Sequence, residues 1–263
     1  MAQKKCYTPI EKQSTVRQFS RSPAQAAKYR LTVLFDHCKR GKMTLFLDSA
    51  AIDDALQAAA LGFVDGITTN PTLINKVLKT KPQASGIRLK TREDLIAAIC
   101  DVFPGIVMVQ LTAETPEERK QEGTRLLRLR HGQIGLKIPS TSENFPLAKH
   151  FAKDGFTIGM TTIFSPGQAF LACEAGAKII FPYVNRTTRL LGNGLALVRQ
   201  LRDVVDALKS PVEILAASIK STEEATDTIL AGAHGLTIPL NIIQSLGQNP
   251  NSQQAIADFA QDS

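Results

Sequence analysis

From residue 43 onward the chain repeats one beat: a short apolar run rich in β-branched residues, a turn, then a longer stretch with helical spacing. The runs are TLFLDSA (44–50), DGITTN (65–70), IVMVQLT (106–112), GLKIP (135–139), FTIGMTTIF (156–164), KIIFPYV (178–184), VEILAAS (212–218) and GLTIP (235–239). Helical stretches such as AIDDALQAAALG, TREDLIAAICDVF, TPEERKQEGTRLLRLR and GLALVRQLRDVVDALK lie between them. Strand alternating with helix at this spacing implies parallel βα units. Near-continuous apolar strands must be covered on both faces, and about eight of them favour a closed (β/α)8 TIM barrel over an open doubly wound sheet. The 263 residues suffice for one such barrel, which takes about 250, over residues 43–263 with a basic extension at 1–42. No G-x-G-x-x-G follows the first strand and no P-loop motif occurs, so two nucleotide-binding folds lose their signatures.

A barrel carries its chemistry at the C-terminal ends of its strands, so each strand is asked what polar residue it brings there. The answers are Asp48; Thr68 with Thr69 and Asn70; Gln110; Lys137; Thr161; Tyr183 with Asn185 and Arg186; and Ser218 with Lys220. They make a ring of polarity at one mouth.

Lys137 is the central member, because an ammonium inside an apolar strand costs several kcal/mol unless it is paired or loses its proton. Alternation along Leu136, Lys137 and Ile138 sets Lys137 on the face opposite its neighbours, the interior face. Two readings stay open: a rim lysine paired with Asp48 or snorkelling to solvent, and a desolvated neutral amine that forms a Schiff base with a carbonyl. Asp48 shares its face with Thr44 and Phe46, where a carboxylate beside the amine takes and returns a proton; the competing role is a helix cap near Ile52. Asn70 before Pro71 also reads as a turn residue, and Gln110 as a satisfied core amide. Arg186, the LGNG turn and SIKSTEE offer guanidinium, hydroxyl and backbone N–H donors to a phosphate, with rim ion pairing as the other account of Arg186.

Charge enters only to locate the basicity. Of the formal +7, residues 1–42 hold ten basic and two acidic residues, while the rest holds 21 basic and 22 acidic. The excess belongs to the leader, and a nucleic-acid reading of the whole loses its support. The leader has no apolar h-region, so it is not a secretory signal; a transit peptide or a start-site or family-specific extension is the alternative, with a helix over 20–40 capped by Ser22 ahead of Pro23. No stretch reaches about 18 apolar residues, so no membrane span is expected. Cys6, Cys38, Cys100 and Cys173 show no paired spacing and read as reduced thiols of a cytoplasmic protein. His37, His131, His150 and His234 are scattered, so no metal site and no cofactor are expected.

The segments LFLDSA, GITTNPTLI, LKIPST, FPYVNR, ILAASIKS and LTIPL resemble, in order and spacing, the small transaldolase and fructose-6-phosphate aldolase family of class I Schiff-base barrels. The likeness runs from about residue 43 to 246. It implies Lys137 as the Schiff-base lysine, Asp48 as the proton-handling carboxylate and Asn70, with Thr68 nearby, at the dihydroxyacetone portion of the substrate. It further implies Thr161 and Gln110 as holders of the catalytic water, and Arg186 with Ser218 at the phosphate end. Gln110 and Tyr183 are the pair the aldolase branch carries where transaldolases usually have Glu and Phe, and glutamine cannot exchange a proton as glutamate does. Phe181 stands where the family usually has Ala or Ser, so a large ring is expected to bear on the donor pocket.

The resemblance therefore implies reversible cleavage of a ketose phosphate such as fructose 6-phosphate, with transaldolase chemistry as the runner-up and an inactive sugar-phosphate- or partner-binding barrel behind both. Substrates are sugar phosphates or small aldehydes and ketones, with no nucleic-acid or membrane partner. A homo-oligomer is expected, with a final helix shorter than the family's usual one.

Overall fold

The computed structural model describes residues 43–80 and 89–261. The expected helix over 20–40, with Ser22, Pro23, His37, Cys6 and Cys38, lies outside the described residues. β1 (Thr44–Asp48) leads through α1 (Ile52–Leu61) to β2 (Gly66–Thr68), and α2 (Pro71–Lys79) and α3 (Arg92–Val102) precede β3 (Ile106–Gln110). Then come α4 (Pro116–Leu129), β4 (Ile134–Pro139), α5 (Asn144–Lys153), β5 (Ile158–Ile163), α6 (Pro166–Glu174) and β6 (Ile179–Pro182). α7 (Val184–Leu191), α8 (Gly194–Ala207), β7 (Glu213–Ala216), α9 (Thr222–Leu230), β8 (Gly235–Ile238), α10 (Leu240–Leu246) and α11 (Pro250–Gln261) follow. The eight strands close in sequence order into a parallel barrel, β8 pairing back onto β1. This is the (β/α)8 architecture expected from the alternation. No helix among the described residues is long and apolar enough to cross a membrane.

Most strands stop one or two residues inside the ends of the expected runs, and at one boundary the type of element differs. Tyr183 and Val184 read as the end of the sixth strand, but Val184 opens α7 and Tyr183 stands at the residue before it without a capping side-chain bond, leaving only an isolated bridge from Tyr183 to Ala217. An apolar β-branched residue is ambiguous between a buried strand and a buried helix start, and tertiary pairing decides. Elsewhere the local signals hold: Thr91, Thr115 and Ser165 form capping boxes with Asp94, Glu118 and Gln168, which fixes where α3, α4 and α6 begin.

The apolar residues divide between two cores. Outward strand residues such as Leu47, Ile67, Val109, Leu136 and Ile138 pack against the helices in one. Inside the barrel Phe46, Ile106, Met108, Ile179, Phe181 and Leu215 form the other. The interior has room for these large groups because neighbouring strands offer glycine. A Cβ on Gly66 would lie 2.4 Å from the Phe46 ring, one on Gly135 2.4 Å from Met108 Sδ, and one on Gly159 2.4 Å from Phe181 Cε2. Such contacts cannot be relieved where the partner is itself enclosed, and Phe181 is completely buried. Gly159→Ala should therefore destabilise the protein by about 1–3 kcal/mol, the usual cost of overpacking. Urea denaturation measures it; an unchanged midpoint would mean that the ring yields.

Candidate active site

Lys137 lies on β4, in register with Gln110 of β3 and Gly159 of β5. It is 2% exposed, one of the largest fully enclosed side chains in the chain. Its Nζ sits 4.9 Å from the centroid of the Phe181 ring, which the gap at Gly159 admits. The aromatic face gives a cation some compensation for lost water, but much less than a carboxylate at contact would. None of the described ion pairs includes Lys137 or Asp48. The rim reading of Lys137 accordingly finds no support in its burial or its partners.

Asp48 ends β1 and accepts a 2.9 Å hydrogen bond from Thr68 Oγ1. Thr68 Oγ1 is in turn 2.6 Å from Thr237 Oγ1. Burial pushes the Asp48 carboxyl above the ordinary aspartate range, against the opposing pull of the Lys137 charge, the Thr68 hydrogen bond and the Lys220 charge. The capping alternative for Asp48 is not realised: Ala51 precedes α1 without a side-chain cap, and it is Ser49 whose Oγ accepts from the Ala51 N–H. A partly buried carboxylate held short of comfortable ionisation, under the charge of a buried amine, is a pair suited to moving protons.

Asn70 does serve locally, since its Oδ1 caps α2 by accepting from the Leu73 N–H at 3.0 Å. That bond fixes the amide plane and leaves Nδ2, a donor, for other use. Gln110 is different: its Oε1 is buried without a hydrogen-bond partner, so it is not the satisfied core amide that was one reading of it. An orphaned acceptor at a strand end calls for a donor from water or substrate.

On the next strands Thr161 Oγ1 donates to Tyr183 Oη at 3.2 Å. The backbone here is irregular: the β5–β6 register shifts between Thr161 and Ile163, and Thr162 takes φ 58°. A β-branched residue in that region is strained, by about 1–3 kcal/mol, and such strain collects at functional sites. The Arg186 guanidinium lies over the Tyr183 ring, 4.8 Å from its centroid, and is exposed in the first turn of α7. Asn185 N–H donates to Ser218 O at 3.2 Å, and Val184 N–H to Ala217 O at 3.0 Å, which bring the start of α7 against the end of β7. Ser218 itself has φ 63°, a second non-glycine residue held in the left-handed region at this mouth. Arg186 and Ser218 thus belong to adjacent strand ends, where an anion would meet both.

Three participants went unnoticed in the sequence. Thr237 is the polar residue of β8, and a polar residue inside an apolar strand is the same signal that marks Lys137. Arg92 on α3 and Glu122 on α4 carry no such signal, since charged residues on helices ordinarily mark a solvated face. Glu122 is buried, accepts from the Thr112 N–H at 2.8 Å and the Ala113 N–H at 3.0 Å, and pairs with Arg92, which also donates to the Gln110 carbonyl. Burial works to raise the Glu122 carboxyl, but the two N–H donors and the guanidinium outweigh it and hold it below the ordinary range. The network clamps the backbone where Gln110 leaves β3.

The family described as transaldolase/fructose-6-phosphate aldolase has a model that matches residues 45–263. A probable transaldolase of Prosthecochloris aestuarii is 33% identical over 220 residues, covering 84% of this chain and 97% of the relative. A probable transaldolase of Chlorobaculum parvum is similar at 33% identity with the same coverage, and one of Thermus thermophilus at 34% over 223 residues.

Proposed function

Because the chain belongs to the transaldolase/fructose-6-phosphate aldolase family, we propose that it is a class I, Schiff-base aldolase that cleaves a ketose phosphate reversibly, fructose 6-phosphate giving dihydroxyacetone and glyceraldehyde 3-phosphate. The observation that carries the reading is Lys137, enclosed in the barrel without an ion-pair partner among the described residues and acting electrostatically on a partly buried Asp48. Lys137 Nζ gives up a proton and adds to the C2 carbonyl, water leaves, and the resulting iminium is the electron sink for breaking C3–C4. Asp48 takes the proton of the C4 hydroxyl as the aldehyde departs. The proton returns to C3 of the enamine through water held at Gln110, Thr161 and Tyr183, and hydrolysis of the imine frees Lys137. Asn70 holds the hydroxyls of the three-carbon unit through Nδ2, next to Thr68, and Arg186 with Ser218 takes the phosphate.

Gln110 and Tyr183 support the aldolase over the transferase. Gln110 places an acceptor but exchanges no proton, and the phenol bonded to Thr161 supplies an acid near the water. A second reading, transaldolase, is favoured by the names of the relatives, in which the enamine waits for an aldehyde acceptor. Incubating the protein with fructose 6-phosphate alone separates the two. Steady release of glyceraldehyde 3-phosphate is expected; release only after adding an acceptor such as erythrose 4-phosphate makes it a transaldolase.

A further inference from the structure

We propose that Thr237 is a positioning residue for the reaction: its hydroxyl donates to Thr68 and thereby commits the single Thr68 proton to the Asp48 carboxylate. The three residues sit on β8, β2 and β1, adjacent strands across the closing seam of the barrel. Asp48 is in register with Thr68, and Phe46, two residues before it on the same face, is in register with Thr237. Both threonines are buried, at 0% and 1% exposure, so no solvent competes for their hydrogens.

Counting hydrogens fixes the direction. Each hydroxyl has one to give. The Thr68 hydroxyl lies 2.9 Å from Asp48 Oδ1 and 2.6 Å from Thr237 Oγ1. An ionised buried carboxylate can only accept, so the Thr68 proton goes to Asp48 and the shorter bond must be made with the Thr237 proton. Among the described hydrogen bonds this is the one the Thr237 hydroxyl makes. Valine would fill the same volume in the barrel without a polar group to satisfy, so packing alone gives no reason for the hydroxyl.

The chain is polarised toward the ionised acid. When Asp48 takes up a proton, the carboxyl becomes able to donate, Thr68 turns its hydrogen toward Thr237, and the Thr237 proton loses its acceptor. The number of hydrogen bonds stays the same, but only in the ionised form does donation from Thr237 strengthen a bond that ends on a full charge. The other groups acting on Asp48 are the charges of Lys137 on β4 and of Lys220 beyond β7. Both are cations, and neither depends on Thr237.

The inference rests on the reading of Asp48 as the proton acceptor of the cleavage step, and its test has one arm that does not. Full-length wild type, Thr237→Val and Thr237→Ser are compared by the pH profile of kcat/KM on fructose 6-phosphate and by a 13C carboxyl titration of Asp48. In the valine variant the acid limb should move up by about half a pH unit, about a threefold loss on that side, because the Thr68 hydrogen bond to the charged form has lost the donor that polarises it. The serine variant should restore the wild-type limb. An unmoved limb in folded Thr237→Val, or a serine variant that behaves like valine, overturns the proposal. Should the valine protein fail to fold by circular dichroism, Thr237→Ala is read in its place. Absence of turnover in wild type would defeat the proposed activity, and the Asp48 titration would still decide Thr237: a midpoint raised by valine supports it, an unmoved one does not.

Discussion

Lys137→Met is expected to abolish turnover while leaving the barrel folded, and to remove the adduct that borohydride should trap on the wild-type protein in the presence of substrate. The loss should be on the order of 10^4-fold or more, the scale on which deletion of a covalent nucleophile is felt, since no other group supplies the iminium. Methionine is nearly as long as lysine, needs no proton or counter-charge, and sets a sulfur over the Phe181 ring where Nζ stood. Its stability should therefore match or exceed wild type, because a polar terminus has been removed from an enclosed site. Mass analysis of a reduced digest checks the chemistry. An adduct on another lysine, or equal turnover in the variant, would remove both the aldolase and the transaldolase readings and leave a binding barrel.

Asp48→Asn should separate activity from stability. Removing the proton-handling carboxylate costs about 10^2- to 10^4-fold in kcat, the range of general acid–base contributions. Stability moves the other way. The folded-state value of Asp48 is raised, chiefly by burial, so the folded protein binds a proton more readily than the unfolded chain. The contribution of Asp48 to stability is thus full below the ordinary aspartate range and is lost as pH rises through its raised folded value. At pH 7 the wild type carries that cost and asparagine does not, so the variant should melt higher, by roughly 2–4 °C per kcal/mol in a domain of this size. The gap should close as pH falls and the wild-type carboxyl takes up its proton. Paired melts at pH 7 and pH 5 test the sign; a variant less stable at pH 7 would mean that Asp48 serves the fold.

The site was legible in the sequence to the extent that its residues break an apolar strand. Lys137, Asp48, Thr68, Gln110 and Thr161 each stand where a period of two would place an inward side chain at a strand end, and barrel geometry turns that position into a shared mouth. Arg92 and Glu122 break no such pattern. A charged residue on an amphipathic helix looks solvated whether it faces water or plugs the loop behind a strand, and only the packing of α3 against α4 and β3 distinguishes the two. Tyr183 was legible as a polar strand-end residue but not as the residue that precedes a helix, because the switch at Val184 depends on the Ala217 carbonyl, just past β7, accepting its N–H.

The sequence by itself determined the number of βα units, their order, the inward polar residues of seven strands and the family likeness. All of these are carried by local period and composition, which survive without knowledge of neighbours. Only the tertiary structure decided what each polar residue meets. The sequence marks Phe181 as a large ring bearing on the donor pocket; that it lies beside Lys137, in space that Gly159 leaves open, is visible only in the closed barrel. Thr237 read as one more residue of an apolar strand, and closure of β8 onto β1 puts its hydroxyl against Thr68. Both facts depend on register between strands distant in sequence, and register is set by which large side chains fit beside which glycines, a property of the closed barrel that no single segment contains.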